Sequence, residues 1–327
     1  GILFPHPLVK TLSHPHFPRK EPTMDNRVIC VVGPTATGKT KMGVALAKRF
    51  GGEVVSVDSM QIYRGMTIGT AAPTAEEMDG VRHHMVAIAD PAESWSVARF
   101  TEQADLCIGD ILRRGGRPVL VGGTGLYVDS VADGYELSNR MPDLAYRAEL
   151  EKRTTEELYA MLVKAVPDVE VERRNRNRVM RLLEKLHDGD DIVPGRNPRY
   201  ETLRLGVTWD RDTLRRRIDQ RLDRRLNEGM VEEVRGLLDR GVSEEFLLKL
   251  GLEYRFITQY LTGRIATLEE MRDLLSTAIK QFAKRQMTWF RRDQTIHWLD
   301  MTADPAAQAR ALIDGFLNGK NAGETTV

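Results

Sequence analysis

The chain has 327 residues, of which 41% are hydrophobic and 29% charged, and its formal net charge is +1. This length accommodates one large α/β domain and a smaller one with a sizeable core, and the near-neutral charge excludes a grossly basic nucleic-acid binder but not local basic patches. Cys30 and Cys107 lie in apolar runs, which favours buried packing residues in a reducing cytoplasm over a disulfide. No apolar run reaches the roughly 18 residues of a membrane span, so we expect no membrane partner.

The first predicted elements form a strand–loop–helix unit. Residues 1–23 lack the apolar segment of a signal peptide, and we expect a disordered leader before a start at Met24. Residues 28–32 predict a buried strand that stops at Gly33, and a helix is expected over residues 38–49. Between them, residues 33–40 have the pattern Gly-x-x-x-x-Gly-Lys-Thr, which in this context is typical of a phosphate-binding P-loop.

The P-loop chemistry follows from its backbone. Consecutive N–H groups in a glycine-bearing turn, together with the positive end of the following helix, form a concave anion site. Lys39 adds a point charge, and the hydroxyl of Thr40 can bind Mg²⁺. We therefore predict a phosphate or diphosphate site made by Gly33, Pro34, Thr35, Ala36, Thr37, Gly38, Lys39 and Thr40.

Two further strand ends are expected at the same edge of the sheet. Residues 53–57 predict a second buried strand that ends at Asp58, where a carboxylate could act as a general base or an outer-sphere Mg²⁺ ligand. Residues 63–72 predict a loop, residues 96–114 a helix capped by Ser96, and residues 117–121 a third strand. Thr124 follows in a glycine-rich turn, where a ligand contact and a helix-cap role are both possible. His83 and His84 are adjacent, so binding one metal ion together is disfavoured.

The remainder of the chain is mostly helical. Helices are predicted at residues 143–152, 154–164 and 168–188, and at 210–228, 230–240, 244–261, 267–291 and 304–317. Strands are predicted at 203–209 and 295–299. Strand–helix alternation favours an α/β fold, a P-loop-type parallel sheet flanked by helices, with an all-helical insertion domain. We expect a first core part at 24–137, the insertion at 138–200, a second, helix-rich core part at 201–320 and a polar tail at 321–327.

Basic residues are concentrated in three stretches, 173–185, 211–225 and 280–292. The first has a single acid and the third has none, and the third also contains Phe282, Trp289 and Phe290. Segregated positive charge beside aromatic rings suits RNA, although solvated helix faces explain such stretches equally well. The residues alone leave both interpretations open.

Taken together, the motifs resemble the tRNA dimethylallyltransferase family, also called tRNA isopentenyltransferases, of bacterial type. The resemblance spans about residues 27–300 and rests on the P-loop and on the stretches at 56–66, 68–71, 83–84, 121–127, 251–255 and 283–291. It implies transfer of a dimethylallyl group from dimethylallyl diphosphate to the exocyclic amine of the adenosine 3′ to the anticodon, in tRNAs that read codons beginning with U. It also implies a P-loop that holds the donor diphosphate, and assistance by Mg²⁺. We expect a cytoplasmic monomer.

The same resemblance implies roles for individual residues. Asp58 would be the catalytic base, with Thr124, Arg147 and Lys39 near the reacting groups, and Arg217 and Arg221 would reach the diphosphate or the RNA backbone. The anticodon stem-loop of tRNA would be contacted by three segments: Asp58, Ser59, Met60 and Gln61; Asn177, Arg178, Val179, Met180 and Arg181; and Lys280, Gln281, Lys284, Arg285, Gln286 and Met287.

Three alternative functions remain open. A P-loop kinase of a small metabolite shares the loop and the aspartate but needs no basic helical insertion. An adenylate isopentenyltransferase shares the donor chemistry but acts on free nucleotide. A non-enzymatic RNA-binding module would leave Lys39 and Asp58 without a purpose.

Overall fold

A six-stranded parallel sheet forms the centre of the protein. The computed structural model describes residues 25–133, 143–189 and 200–319, so the predicted leader at 1–23 and the tail at 321–327 lie outside the described residues. The strand order is β3-β2-β4-β1-β5-β6, and every neighbouring pair is parallel. The strands are β1 Arg27–Val32, β2 Gly52–Ser56, β3 His83–His84, β4 Arg117–Gly122, β5 Glu201–Gly206 and β6 Ile296–Trp298.

Both faces of the sheet are covered, as the continuous apolar character of β1 requires. Successive side chains of a strand point to opposite faces. Ile29 and Val31 pack in one cluster with helices α1 Lys39–Arg49 and α13 Pro305–Leu317. Val28, Cys30 and Val32 belong to a larger cluster on the other face. That cluster includes side chains from α3 Val97–Arg113, α4 Gly125–Asp133, α8 Arg211–Asn227, α9 Met230–Asp239, α10 Glu244–Leu250, α11 Leu252–Leu261 and α12 Leu268–Arg291. The predicted α/β class is confirmed.

Among residues 143–189 the regular elements are helices, with a small core of their own. They are α5 Leu144–Glu151, α6 Thr155–Ala165 and α7 Arg176–His187. Outside this segment, the structure contains a four-residue helix, α2 Ala75–Met78, that the sequence did not predict. The separate core contains Leu150, Leu158, Leu162, Val179, Met180 and Leu183. An all-helical insertion fits this arrangement, and its boundaries at 138 and 200 remain predictions.

Two predicted helices differ from the observed ones. The helix expected at 168–188 begins only at Arg176, because the side chain of Asn175 accepts a hydrogen bond from the backbone N–H of Arg178 and caps it there. The helix expected at 244–261 is divided into α10 and α11 by Gly251, whose backbone is extended. A Cβ at Gly251 would lie 2.4 Å from Sδ of Met60, so the glycine permits a close approach.

A buried ion cluster joins the sheet to its surrounding helices. Arg204 of β5 is 3% exposed, and its guanidinium lies 2.7 Å from Asp129, 2.9 Å from Asp133 and 2.9 Å from Asp293. Burial raises the pKa of Asp129 to about 7. Arg178 of α7 lies 3.6 Å from Asp133. The cluster therefore links β5, α4, the end of α12 and the helical segment 143–189.

Candidate functional site

The P-loop, residues 33–40, leaves β1 and wraps around its own backbone. Gly33 has φ 150°, and a Cβ there would lie 2.0 Å from the carbonyl oxygen of Val207, so only glycine fits. Gly38, with φ 97°, adopts the left-handed conformation that starts α1. The hydroxyl of Thr37 and Nζ of Lys39 both donate to the carbonyl oxygen of Pro34, at 2.8 and 2.7 Å. This curvature matches the anion-binding turn expected from the sequence.

Lys39 is half-buried, and its ammonium group lies against the P-loop backbone, where it donates to the carbonyl oxygen of Pro34. Burial lowers its pKa to about 7; the charge of Arg221 also lowers it, and the carboxylate of Asp58 acts in the opposite direction. An anion bound in the loop would favour the charged ammonium again. The geometry thus provides a cationic group whose charge depends on a bound anion.

Side chains from the second half of the chain complete the P-loop. Nε of Arg217 donates to the carbonyl oxygen of Ala36 at 2.8 Å, and Arg221 donates to the hydroxyl of Thr35 at 3.0 Å. Burial lowers the pKa of Arg221 to about 10, and the charge of Arg225 contributes. Nε1 of Trp209 donates to the carbonyl oxygen of Thr37 at 3.1 Å, a contact that the sequence did not predict. Two arginines from α8 therefore lie at the predicted anion site.

Asp58 follows β2 and forms a tight turn. Its Oδ1 accepts the N–H groups of Met60 and Gln61, at 2.8 and 3.2 Å. Burial raises the pKa of Asp58 while these hydrogen bonds and Lys39 lower it, and the net direction is upward. Gln61 is held in turn, because its Oε1 accepts the hydroxyl of Ser56 at 2.8 Å. Ser59 and Met60 are half-buried. A fixed carboxylate with a raised pKa suits a general base.

The loop after Asp58 is fixed by residues that sequence reasoning missed. The carboxylate of Glu233 accepts the N–H groups of Ile68 and Gly69, at 2.9 and 3.1 Å. The hydroxyl of Tyr254 lies 2.7 Å from Glu233 and 2.9 Å from the carbonyl oxygen of Met66. The stretch 251–255 stands among the motifs of the resemblance without an assigned role. The ring of Tyr254 in this stretch packs against Gly69, where a Cβ would lie 2.5 Å from it. The stretch therefore helps to hold the loop after Asp58 in place.

The turn after β4, residues 122–125, lies beside the P-loop. A Cβ at Gly123 would lie 3.1 Å from the carbonyl oxygen of Gly33 and 3.2 Å from Nζ of Lys39. Thr124 is half-buried between this glycine and Gly125, immediately before α4. The structure therefore brings Thr124, Lys39 and the P-loop together, as expected for strand ends of a parallel sheet.

The predicted RNA contacts in α7 occupy a different environment. Asn177, Arg178, Val179 and Met180 are all buried, and Nδ2 of Asn177 donates to the carbonyl oxygen of Trp289 at 3.2 Å. Arg181 keeps partial exposure. Four of these five side chains thus pack inside the protein here, and RNA contact by this segment remains a prediction.

Arg147 of α5 forms an ion pair with a residue of the neighbouring helix. Its Nε lies 3.7 Å from Oε1 of Glu184 in α7. The catalytic role that the resemblance implies for Arg147 stays a prediction.

His84, which the sequence did not favour as a metal ligand, lies with its Nε2 2.9 Å from Oε1 of Glu53. Among the described residues, no group of three or more His, Cys, Asp or Glu could hold a metal ion.

A basic groove lies between α8 and α12, with a cavity volume of about 310 Å³. Nζ of Lys280 donates to Oδ2 of Asp219 at 2.7 Å, and Arg285 is exposed at 5.8 Å from the ring of Phe282. Gln286 and Met287 are buried. The groove is lined by Arg211, Arg215, Thr277, Lys280, Gln281 and Lys284. Four of these six side chains are cationic, which suits a polyanion.

Fold and site together define a P-loop α/β protein whose P-loop is contacted by arginines from the C-terminal half of the chain. Within the described ranges 25–133, 143–189 and 200–319, none of the helices combines the length and apolar character of a membrane span.

Comparison with known proteins identifies the family. A family model described as IPP transferase matches residues 61–293, and one described as Isopentenyl transferase matches residues 26–89. The tRNA dimethylallyltransferase 2 of Shewanella sediminis is 43% identical over 86% of this chain and 96% of its own length. The tRNA dimethylallyltransferase of Halalkalibacterium halodurans is 42% identical over 91% of this chain and 98% of its own. The chain therefore belongs to the IPP transferase family.

Solved structures agree with this assignment. The tRNA isopentenylpyrophosphate transferase of Bacillus halodurans has a TM-score of 0.69 and 40% identity, covering 90% of this chain and 98% of its own. A eukaryotic dimethylallyltransferase described as acting on tRNA has a TM-score of 0.67 and 25% identity, covering 92% of this chain and 82% of its own. The fold expected from the sequence is thus shared with enzymes of this class.

Proposed function

We propose that this protein transfers a dimethylallyl group from dimethylallyl diphosphate to the exocyclic amine of the adenosine 3′ to the anticodon, in tRNAs that read U-initial codons, and releases diphosphate. The observation that carries the proposal is the meeting of a cationic P-loop with a half-buried carboxylate, Asp58, at one edge of the sheet. The charges of Lys39 and Asp58 act on each other's pKa.

Departure of the leaving group is the first task of the site. The bond between the dimethylallyl carbon and the diphosphate oxygen breaks, and negative charge develops on the diphosphate. That charge would be stabilised by the P-loop N–H groups together with Lys39, Arg217 and Arg221. Fixed donors cost no reorganisation at the moment of reaction. Thr124, beside Lys39, is assigned to orient the reacting end.

Proton removal is the second task, because the adenine amine is a weak nucleophile. As the new C–N bond forms, the amine proton passes to the free carboxylate oxygen of Asp58, whose other oxygen is held by the turn. A raised pKa makes this carboxylate a better proton acceptor near neutral pH. The base must leave its stack to reach the site, and the basic groove is suited to hold the neighbouring phosphates.

Mg²⁺ fits the donor set at the P-loop. The hydroxyl of Thr40 lies in the first turn of α1, and one protein oxygen with diphosphate oxygens is the kind of ligand set that Mg²⁺ prefers. When bound, the ion would neutralise part of the diphosphate charge. A monomeric state and a cytoplasmic location remain predictions.

Transfer is tested by incubating the protein with dimethylallyl diphosphate, Mg²⁺ and an anticodon stem-loop that contains consecutive adenosines. Mass spectrometry should show one isoprene unit on the RNA, lost in Asp58→Asn and kept in the control Asp239→Asn, an exposed carboxylate on α9. A parallel arm with free AMP separates the adenylate enzyme, and an arm with ATP and a small hydroxylated acceptor separates the kinase. Absence of transfer by the wild type to the stem-loop would refute the proposal.

A further inference from the structure

Gln286 of α12 spans the two glycine-rich segments of the anion site. It is 7% exposed. Its Oε1 accepts the backbone N–H of Thr35 in the P-loop at 3.0 Å, and its Nε2 donates to the carbonyl oxygen of Gly123 at 2.6 Å. The orientation of the amide follows from these partners, because the reverse orientation would place N–H against N–H and oxygen against oxygen. One side chain therefore joins the P-loop to the turn after β4.

The P-loop and the turn after β4 are closely packed around Gln286. A Cβ at Gly123 would lie 2.8 Å from Nε2 of Gln286 and 3.2 Å from Nζ of Lys39. Trp289, one helical turn further along α12, packs against the other side of the same turn: a Cβ at Gly125 would lie 1.9 Å from its ring. Gln286 and Trp289 thus hold the turn around Thr124 from both ends.

The two basic residues that precede Gln286 on α12 face outward, whereas Gln286 faces the P-loop. Lys284 and Arg285 are exposed to solvent, but both polar atoms of the Gln286 side chain are used by backbone groups. The resemblance groups all three residues as RNA contacts, and their environments separate them. Because the side chain is only 7% exposed, little of Gln286 is accessible to RNA, whereas Lys284 and Arg285 are open to it.

We propose that Gln286 is a positioning residue of the donor site and not an RNA contact. It sets the spacing between the N–H of Thr35 and the carbonyl of Gly123, so that Lys39 and Thr124 can contact the same diphosphate. This role requires one donor and one acceptor on a single side chain, and glutamine has both. Ionised glutamate has no donor, and methionine has neither group. The nature of the donor rests on the proposed function, whereas the role in diphosphate binding does not.

The test separates the two ligands. Affinity for inorganic diphosphate with Mg²⁺ is measured without RNA, and affinity for the anticodon stem-loop is measured without donor. Gln286→Met keeps the size of the side chain and removes both hydrogen bonds, so we expect diphosphate affinity to fall roughly tenfold to a hundredfold and RNA affinity to stay within about twofold. Lys284→Ala should show the opposite pattern. Gln259→Met, the same change on α11, should change neither affinity.

A second variant tests the hydrogen-bond requirement directly. Gln286→Glu has two acceptors when ionised, but its protonated carboxyl again has one donor and one acceptor. Its diphosphate affinity relative to wild type should therefore recover as the pH falls, a response that a loss of packing alone would not produce. This variant also covers the case in which Gln286→Met does not fold, which circular dichroism would reveal.

The outcomes distinguish this inference from the proposed function. Weaker RNA binding with unchanged diphosphate binding in Gln286→Met would make Gln286 an RNA contact and overturn the proposal, as would unchanged affinity for both ligands. Wild-type transfer together with either result would leave the function intact. Failure of the wild type to transfer, combined with selective loss of diphosphate binding in Gln286→Met, would refute the function and support the positioning role.

Discussion

Donor binding should be accompanied by proton uptake at Lys39. In the ligand-free protein burial is the main cause that lowers the pKa of Lys39 to about 7, from an ordinary value of 10.5. A diphosphate bound in the P-loop places negative charge beside the ammonium group and raises its pKa again. Above pH 7 the free protein contains mostly neutral Lys39, so the site must take up a proton as it binds the anion.

The size of the effect follows from the position of this pKa. A group with a pKa of about 7 is about half protonated at pH 7 and about one hundredth protonated at pH 9. Affinity for the diphosphate should follow this fraction and fall roughly fiftyfold between pH 7 and pH 9. Near pH 8, about 0.9 proton should be taken up for each ligand bound.

Titration calorimetry measures both quantities. The ligand is a dimethylallyl diphosphate analogue that cannot react, whose last ionisation lies near pH 6 like that of other phosphate esters. Binding is measured at fixed Mg²⁺ in buffers with different ionisation enthalpies, which gives the number of protons taken up. Lys39→Met should bind more weakly but with a flat pH profile above pH 7. Equal pH slopes for the two proteins, or a flat profile in the wild type, would show that Lys39 does not take up a proton on binding.

Three further expectations concern stability, each measured by urea unfolding. The wild type should gain stability relative to Lys39→Met as the pH rises from about 7 to about 10, because over this range the unfolded chain binds a proton at Lys39 that the folded protein has lost; a parallel pair of curves would contradict it. Arg204→Leu should lose about 3–5 kcal/mol at pH 7, since it leaves Asp129 and Asp293 buried without their cation while Asp133 keeps only Arg178, and should recover part of this at pH 5 as Asp129 protonates. Gly33→Ala should lose about 1–3 kcal/mol or more through its clash with the Val207 carbonyl, whereas Gly80→Ala, with nothing within 4 Å, should show only the smaller backbone cost of a positive φ.

The elements that form the P-loop were predictable because their signals are local. The strand, the glycines and the helix around residues 33–40 lie together in the sequence, and the end of β2 follows from its apolar run. The placement of Asp58 and Thr124 at one edge needs only the parallel character of the sheet. Local periodicity and turn chemistry are sufficient for this half of the site.

The remaining half depends on contacts between distant segments, which no local pattern reveals. Glu233 binds the N–H groups of Ile68 and Gly69 across the fold, and its own sequence surroundings are those of an ordinary surface helix. Gln286 stands beside Lys284 and Arg285 in one helical stretch, and only the fold shows that its side chain faces inward while theirs face solvent. The start of α7 at Arg176 and the break at Gly251 were missed because helical periodicity continues through both places, while a cap and a close packing contact decide them.

The position of β1 in the sheet has a consequence for synthesis of the chain. β1 pairs with β4 on one side and with β5 on the other, and the wall of the P-loop at Gly33 is the backbone of Val207. Arg217 and Arg221 come later still. A nascent chain that has passed the Gly-x-x-x-x-Gly-Lys-Thr motif therefore has the sequence of a donor site but lacks one wall and two cations until the second half emerges from the ribosome. A product of premature termination within the insertion would carry an intact motif and no working anion site.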